Sequence, residues 1–197
     1  QWLRKMLDDY YDRFAETVGA VLRVDGLTVV MAVVITFVSG IVHSFSRRYM
    51  AGNRYLNRFY ARLFGLTLIV LLMAAADHLV LFVGAWTAMG WVLADLIGHV
   101  RGWPQARAAA RLARRSFLGG SLLLVGALGL LAFHTGASTI SGVLGGLDAL
   151  SAPTVGGAAV LLLLVAMIQS ALVTFHGWLL SSMTAPTPVS AFMHAGL

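Results

Sequence analysis

Five apolar runs, each near the ~20 residues that a helix needs to cross a bilayer, constrain this chain more than any other feature. The runs are Leu27 to about Phe45, about Phe59 to Ala76, Leu79 to Gly98, Phe117 to about Phe133 and about Val155 to Leu180, and another begins at Pro188. In lipid, amides and carbonyls find no water, and a helix satisfies them within one segment. The expected fold class is therefore all-α, a polytopic transmembrane bundle over residues 25–197 with no soluble domain of its own. Composition agrees, with 59% hydrophobic and 11% charged residues, where soluble domains carry about 25% charged.

Residues 1–24 are too polar to span. Arg4, Lys5, Arg13 and Arg23 are nearly balanced there by Asp8, Asp9, Asp12 and Glu16, which reads as an amphipathic segment. Gln1 is not an initiator residue and Leu197 falls two turns into a helix, so the expectation is the interior of a longer chain. Ten of the fourteen basic residues lie between Arg47 and Arg62 or between Arg101 and Arg115, after the first and third runs. Positive charge stays on the cytoplasmic side, so these loops are expected in the cytoplasm, with residues 1–24 and the Asp77-His78 turn outside. This placement gives the net charge of +6 a topological meaning and argues against nucleic-acid binding. A basic cytoplasmic face is also a natural seat for an acidic subunit, which makes Arg47, Arg48, Arg101, Arg107 and Arg111 candidate docking residues. The absence of cysteine excludes disulfides, thiolate metal sites and cysteine nucleophiles.

Polar residues inside the runs need a reason. Asp95 lies within a turn of the cytoplasmic end of its run, where it pairs with Arg101 or another loop arginine, or else passes protons. Thr87, Trp91, Asp95 and His99 recur at intervals of four along one slowly drifting helical stripe. In the fifth run Gln169 and His176 are seven apart and share a face, with Ser170 and Thr174 on an adjoining one. Such residues either hydrogen-bond across helices or line a path. Histidine titrates near neutrality, which makes His176 and His194 candidates for a relay. No third ligand stands near them, so no metal site is expected. Ser, His and Asp form no nucleophile-elbow pattern, so the chain is not expected to be catalytic by itself. The Gly98–Gly102 spacing falls at a loop and carries little weight. The sharpest local feature is a break in which Pro186 ends one helix, Thr187 is placed to cap the next and Pro188 takes its first position.

The run from Thr187 to Ala191 with His194, preceded by His176, Trp178 and Met183, resembles the signature of the antiporter-like membrane subunits of respiratory complex I, of the chain 5 and Mrp type. Ala76 to Leu79 through Trp86 resembles the start of that family's fifth helix, and His43 with Tyr49, Met50 and Gly52 the end of its third. The resemblance implies a fragment of an antiporter-like fold with inverted repeats, from the third helix to the start of the eighth, and ion translocation through buried polar groups. It also shows departures. The family's glutamate falls on Thr87, its lysine on Gln169 and its mid-helix proline on Thr174. Neither Thr87 nor Gln169 can carry the charge, so Asp95 and His176 are the nearest titratable substitutes. His176 to Ser182 and the final His-Ala-Gly-Leu are more similar to the membrane subunits of DAB inorganic-carbon accumulation complexes. That resemblance implies a chain without a cofactor, set in a bacterial inner membrane, that conducts protons or Na+. Its partner would be a large soluble cytoplasmic subunit, zinc-bearing and carbonic-anhydrase-like. The alternatives are a proton-translocating subunit of complex I or of a multisubunit cation/proton antiporter, and a purely structural anchor.

Overall fold

A computed structural model describes residues 18–195 of the 197-residue chain. The first seventeen residues of the expected amphipathic segment, and the last two of the chain, lie outside the described part. The helices are α1 (Gly26–Tyr49), α2 (Leu56–Ala75), α3 (Leu79–Ile97), α4 (Pro104–Thr135), α5 (Ile140–Gly145), α6 (Ala152–Gln169), α7 (Gly177–Ser181) and α8 (Thr187–Ala195). Five of them, α1 to α4 and α6, are long and apolar enough to cross a membrane.

Consecutive long helices are antiparallel neighbours, as short connections require. α4 packs most extensively on α6 and α3, α2 lies between α1 and α3, and α8 returns along α1. Local chemistry sets the ends. Asp25 caps α1 by accepting from the Thr28 amide at 3.0 Å, which holds its carboxyl below the usual range. Gly136, at φ +69°, ends α4 in the left-handed conformation that glycine tolerates.

Two stretches differ from the expectation. The Ala/Arg-rich residues 105–115 read in the sequence as a short interfacial helix leading into the run from Phe117, and the two form one helix, α4, because alanine propagates a helix straight on. The fifth run is instead broken between Gln169 and Gly177, with Ala171 at φ +51° and Thr174 at φ +91°. Both are non-glycine residues in a region costly for a side chain, and Trp178 helps to hold them there by donating from Nε1 to the Ile168 carbonyl at 3.0 Å. The last helix also begins one residue early. The Pro186 carbonyl accepts from the Val189 and Ser190 amides at 2.8 and 3.2 Å, so Pro186 is the cap and Thr187 and Pro188 stand inside the helix.

The loops after α1 and α3 meet at one end of the bundle, where Tyr49 to Asn53, Val100 and Trp103 line a groove with Thr184 to Thr187. This is the arginine end. At the far end, isolated bridges pair Leu22 with Ala76 and His78 with Thr139. Large apolar side chains face outward along α1 and α6, among them Val33, Phe37, Val160 and Leu163. They are surfaces for lipid or for further helices.

Candidate functional site

The last turn of α3 places Asp95 between two neighbouring helices. Its Oδ2 accepts from Nη2 of Arg62 on α2 at 2.5 Å, and its Oδ1 from Nη2 of Arg114 on α4 at 2.7 Å. Arg62 also donates to the Asp95 carbonyl at 3.3 Å. The Arg62 side chain is only 17% exposed, a depth at which a guanidinium needs a counter-ion. Arg114 lies over the Trp91 ring at 4.8 Å, and its Nε is buried without a partner. Of the partners expected for Asp95, Arg101 or another arginine of the two basic stretches, it is the others, Arg62 and Arg114, that bond it, and Arg101 does not. Each carboxylate oxygen thus takes one guanidinium, and the Asp95 side chain remains 38% exposed.

His99, just beyond α3, is buried with both ring nitrogens unpartnered and its ring at 5.3 Å from Phe59 in an edge arrangement. Burial holds its pKa below the ordinary 6.5, and the nearby Arg62 and Arg58 push the same way. It is a neutral, apolar-packed histidine.

A second polar arrangement crosses the α1–α2 interface. Ser39 Oγ lies 2.8 Å from Thr67 Oγ1 and 3.1 Å from His43 Nδ1, and His43 Nδ1 lies 2.8 Å from the Ser39 carbonyl. A carbonyl only accepts, so Nδ1 donates in that bond. The His43 Nε2 is buried and unpartnered. Ser39 and Thr67 are themselves buried in a helix interface.

The seven expected path residues are not brought together, and no hydrogen bond joins any two of them among the described residues. Thr87 donates to the Val83 carbonyl at 2.8 Å and faces an apolar groove between α3 and α4. Gln169 ends α6 half-buried, and Ser170, Thr174 and His176 stand exposed in the break that follows. The break removes the helical face that Gln169 and His176 would have shared. His194 is exposed on α8. Sequence reasoning did not single out Arg62 and Arg114 from the other loop arginines, gave His43 no role in a polar contact, and passed over Ser39 and Thr67. Of these, only the Ser39–His43 pair, four apart on one helix, left a signal in the sequence.

Among the docking arginines, Arg47 and Arg48 are exposed at the end of α1. Arg101, Arg107 and Arg111 line a cavity of about 390 Å³ together with Arg62, Arg114 and Asp95. Gly98, set aside from the sequence, proves tightly placed, since a Cβ there would stand 2.8 Å from the Ala110 Cβ. Gly90 meets the Phe117 Cβ at the same distance. These glycines let α3 and α4 close up and carry Arg114 to Asp95.

Residues 76–197 match the family described as NADH:quinone oxidoreductase/Mrp antiporter, TM, and residues 17–60 match the chain 5 N-terminus of NADH-ubiquinone oxidoreductase, complex I. The chain is 36% identical over 188 residues to the probable inorganic carbon transporter subunit DabB1 of Halothiobacillus neapolitanus, covering 92% of this chain and 34% of that protein. It is 34% identical over 179 residues to NADH-quinone oxidoreductase subunit L of Mycobacterium tuberculosis, covering 88% and 28%. The chain thus spans about a third of these relatives. A solved Mrp complex from Dietzia sp. DQ12-45-1b superposes with a TM-score of 0.74 at 26% identity, over 86% of this chain and 19% of that one.

Proposed function

Because the chain belongs to the transmembrane family of NADH:quinone oxidoreductase and Mrp antiporter subunits, we propose that it forms part of a cation-conducting membrane subunit whose ion gradient drives inorganic-carbon uptake. The observation that carries this reading is the alignment of 92% of the chain with a relative named as a probable inorganic carbon transporter subunit. The departures at Thr87 and Gln169 point the same way, because a relay built on a glutamate and a lysine at these places cannot run here. In this proposal the arginine end faces the cytoplasm of a bacterial cell, and Arg47 and Arg48 help to seat a soluble zinc subunit that hydrates carbon dioxide. Ions, protons or Na+, enter past Asp95 when Arg62 or Arg114 swings aside. His176 in the opened span, His194 on α8 and the buried Nε2 of His43 are the groups able to carry protons onward.

A second reading, a subunit of a cation/proton antiporter, draws on the Mrp complex that shares the fold. Purification of the full-length chain with its native partners separates the two. A zinc-binding soluble protein in the complex supports carbon uptake, and further antiporter subunits or flavin and iron–sulfur proteins overturn it. In the same cells, Asp95→Asn and His176→Ala are expected to abolish bicarbonate accumulation while the complex still assembles. Wild-type accumulation in both variants would leave the chain a scaffold.

A further inference from the structure

The cavity at the arginine end and the apolar groove between α3 and α4 are connected through one side chain, Trp91. Five guanidinium groups, Arg62, Arg101, Arg107, Arg111 and Arg114, converge on the cavity, and the only carboxylate lining it, Asp95, is already taken by two of them. No acidic group opposes Arg101, Arg107 and Arg111 among the described residues. Arg114 adds a buried Nε–H with no acceptor. Arg107, Arg111 and Arg114 are four and three apart on α4 and so share one face in its first three turns. A site of this kind takes an anion with several oxygens in different directions, which is the geometry of phosphate.

Trp91 ties this cavity to the groove. Its ring lies under Arg114, and it also lines the groove of about 860 Å³ between α3 and α4 with Gly84, Thr87, Ala88, Val125 and Gly129. On α3 the sequence Gly84, Ala88, Trp91, Asp95 advances by three or four and holds one face. On α4 the arginine face continues through Leu118 and Leu122 to Val125 and Gly129, and these leucines and Val125 are exposed. The groove is thus apolar and exposed in this part of the chain, and Trp91 lines it next to Arg114.

The geometry points to a binding site for an anionic phospholipid, with the phosphodiester in the arginine cavity and an acyl chain along the α3–α4 groove. A free phosphate would use the cavity and leave the groove empty. An acidic protein segment would meet the arginines and have no use for a groove that faces lipid. The three cavity arginines offered above as docking residues are by this inference lipid contacts. The proposal does not depend on which ion the subunit conducts.

The test is native mass spectrometry of the full-length complex in nanodiscs containing phosphatidylglycerol and phosphatidylcholine. The wild type is expected to retain phosphatidylglycerol selectively. Arg107→Gln with Arg111→Gln is expected to weaken that retention about fivefold per charge removed, while Arg107→Lys with Arg111→Lys preserves most of it. Gly129→Leu fills the groove from a position where an added Cβ meets nothing within 4 Å, and it is expected to lower retention with all arginines in place. Inorganic phosphate and glycerol phosphate are the probes for a free anion. If either displaces the lipid at equal concentration, or if Gly129→Leu retains lipid as the wild type does, the lipid assignment is wrong. Cross-linking that places an acidic subunit or another helix of the full chain in the groove overturns it as well. A Gln double variant that fails to assemble leaves the Lys pair and Gly129→Leu to decide.

Discussion

The two ends of the bundle each hold a carboxylate against the protein, and they satisfy it by opposite means. At the arginine end Asp95 is held by two guanidinium groups from two other helices. At the far end Asp77 accepts from the Ser141 amide at 2.9 Å and the Ser141 hydroxyl at 2.5 Å, with no cation in contact, while its own carbonyl takes the Ile140 amide. The first arrangement couples three helices through charge. The second is a turn clamp built on uncharged donors, and it fastens α5 to the α2–α3 connection.

Asp95→Asn should have the largest effect, since it strands two guanidiniums, one of them deeply placed. A loss of about 2–4 kcal/mol is expected, less than for a fully buried pair because the carboxylate is 38% exposed. Unfolding of the full-length protein in nanodiscs measures it, and adding Arg114→Gln should cost far less than that substitution does alone. Additive losses would mean that the ends do not differ in this way.

Asp77→Ala should cost about 2 kcal/mol and act locally. Hydrogen exchange should rise over residues 137–146 and stay unchanged around Asp95. A global loss at Asp77 would erase the contrast between coupling and clamping.

Gly98→Val tests the close approach that supports the charged end, with an expected cost of about 1–2 kcal/mol from overpacking against Ala110. The same change at Gly65, where an added Cβ meets nothing within 4 Å, should cost little, because valine forms helix somewhat better than glycine does.

The smallest effect concerns pH. His99 is held neutral in the folded protein, so the unfolded chain binds the extra proton first as pH falls. Stability contributed by neutral His99 is therefore present above about pH 6.5 and declines as pH drops through that value toward the lower folded pKa. His99→Gln should flatten this acid limb of the stability profile, and an unchanged limb would assign it to other groups.

The spans and their antiparallel order were legible because the length of an apolar run against a bilayer is a one-dimensional quantity. The break at Ser170 to His176 was not, since Ala171 and Thr174 adopt positive φ through contacts made elsewhere, notably by Trp178. It falls where the family resemblance places a proline, and that correspondence was the available hint. Which of the loop arginines would meet Asp95 was hidden for a similar reason. Arg101 is near in sequence, whereas Arg62 and Arg114 are 33 and 19 residues away and arrive by helix packing. Gly98 could not be weighed without knowing that Ala110 faces it. Pattern reading thus found which segments cross and which groups could titrate, and missed which groups meet.

Ion flux through the reconstituted full-length complex tests the central claim most directly. In liposomes loaded with a pH-sensitive dye, an imposed gradient should dissipate through the wild type, and dissipation should fall at least tenfold in His176→Ala and in Asp95→Asn with the complex intact. Flux equal to wild type in both variants, or none in the wild type across proton and Na+ gradients alike, would contradict the account.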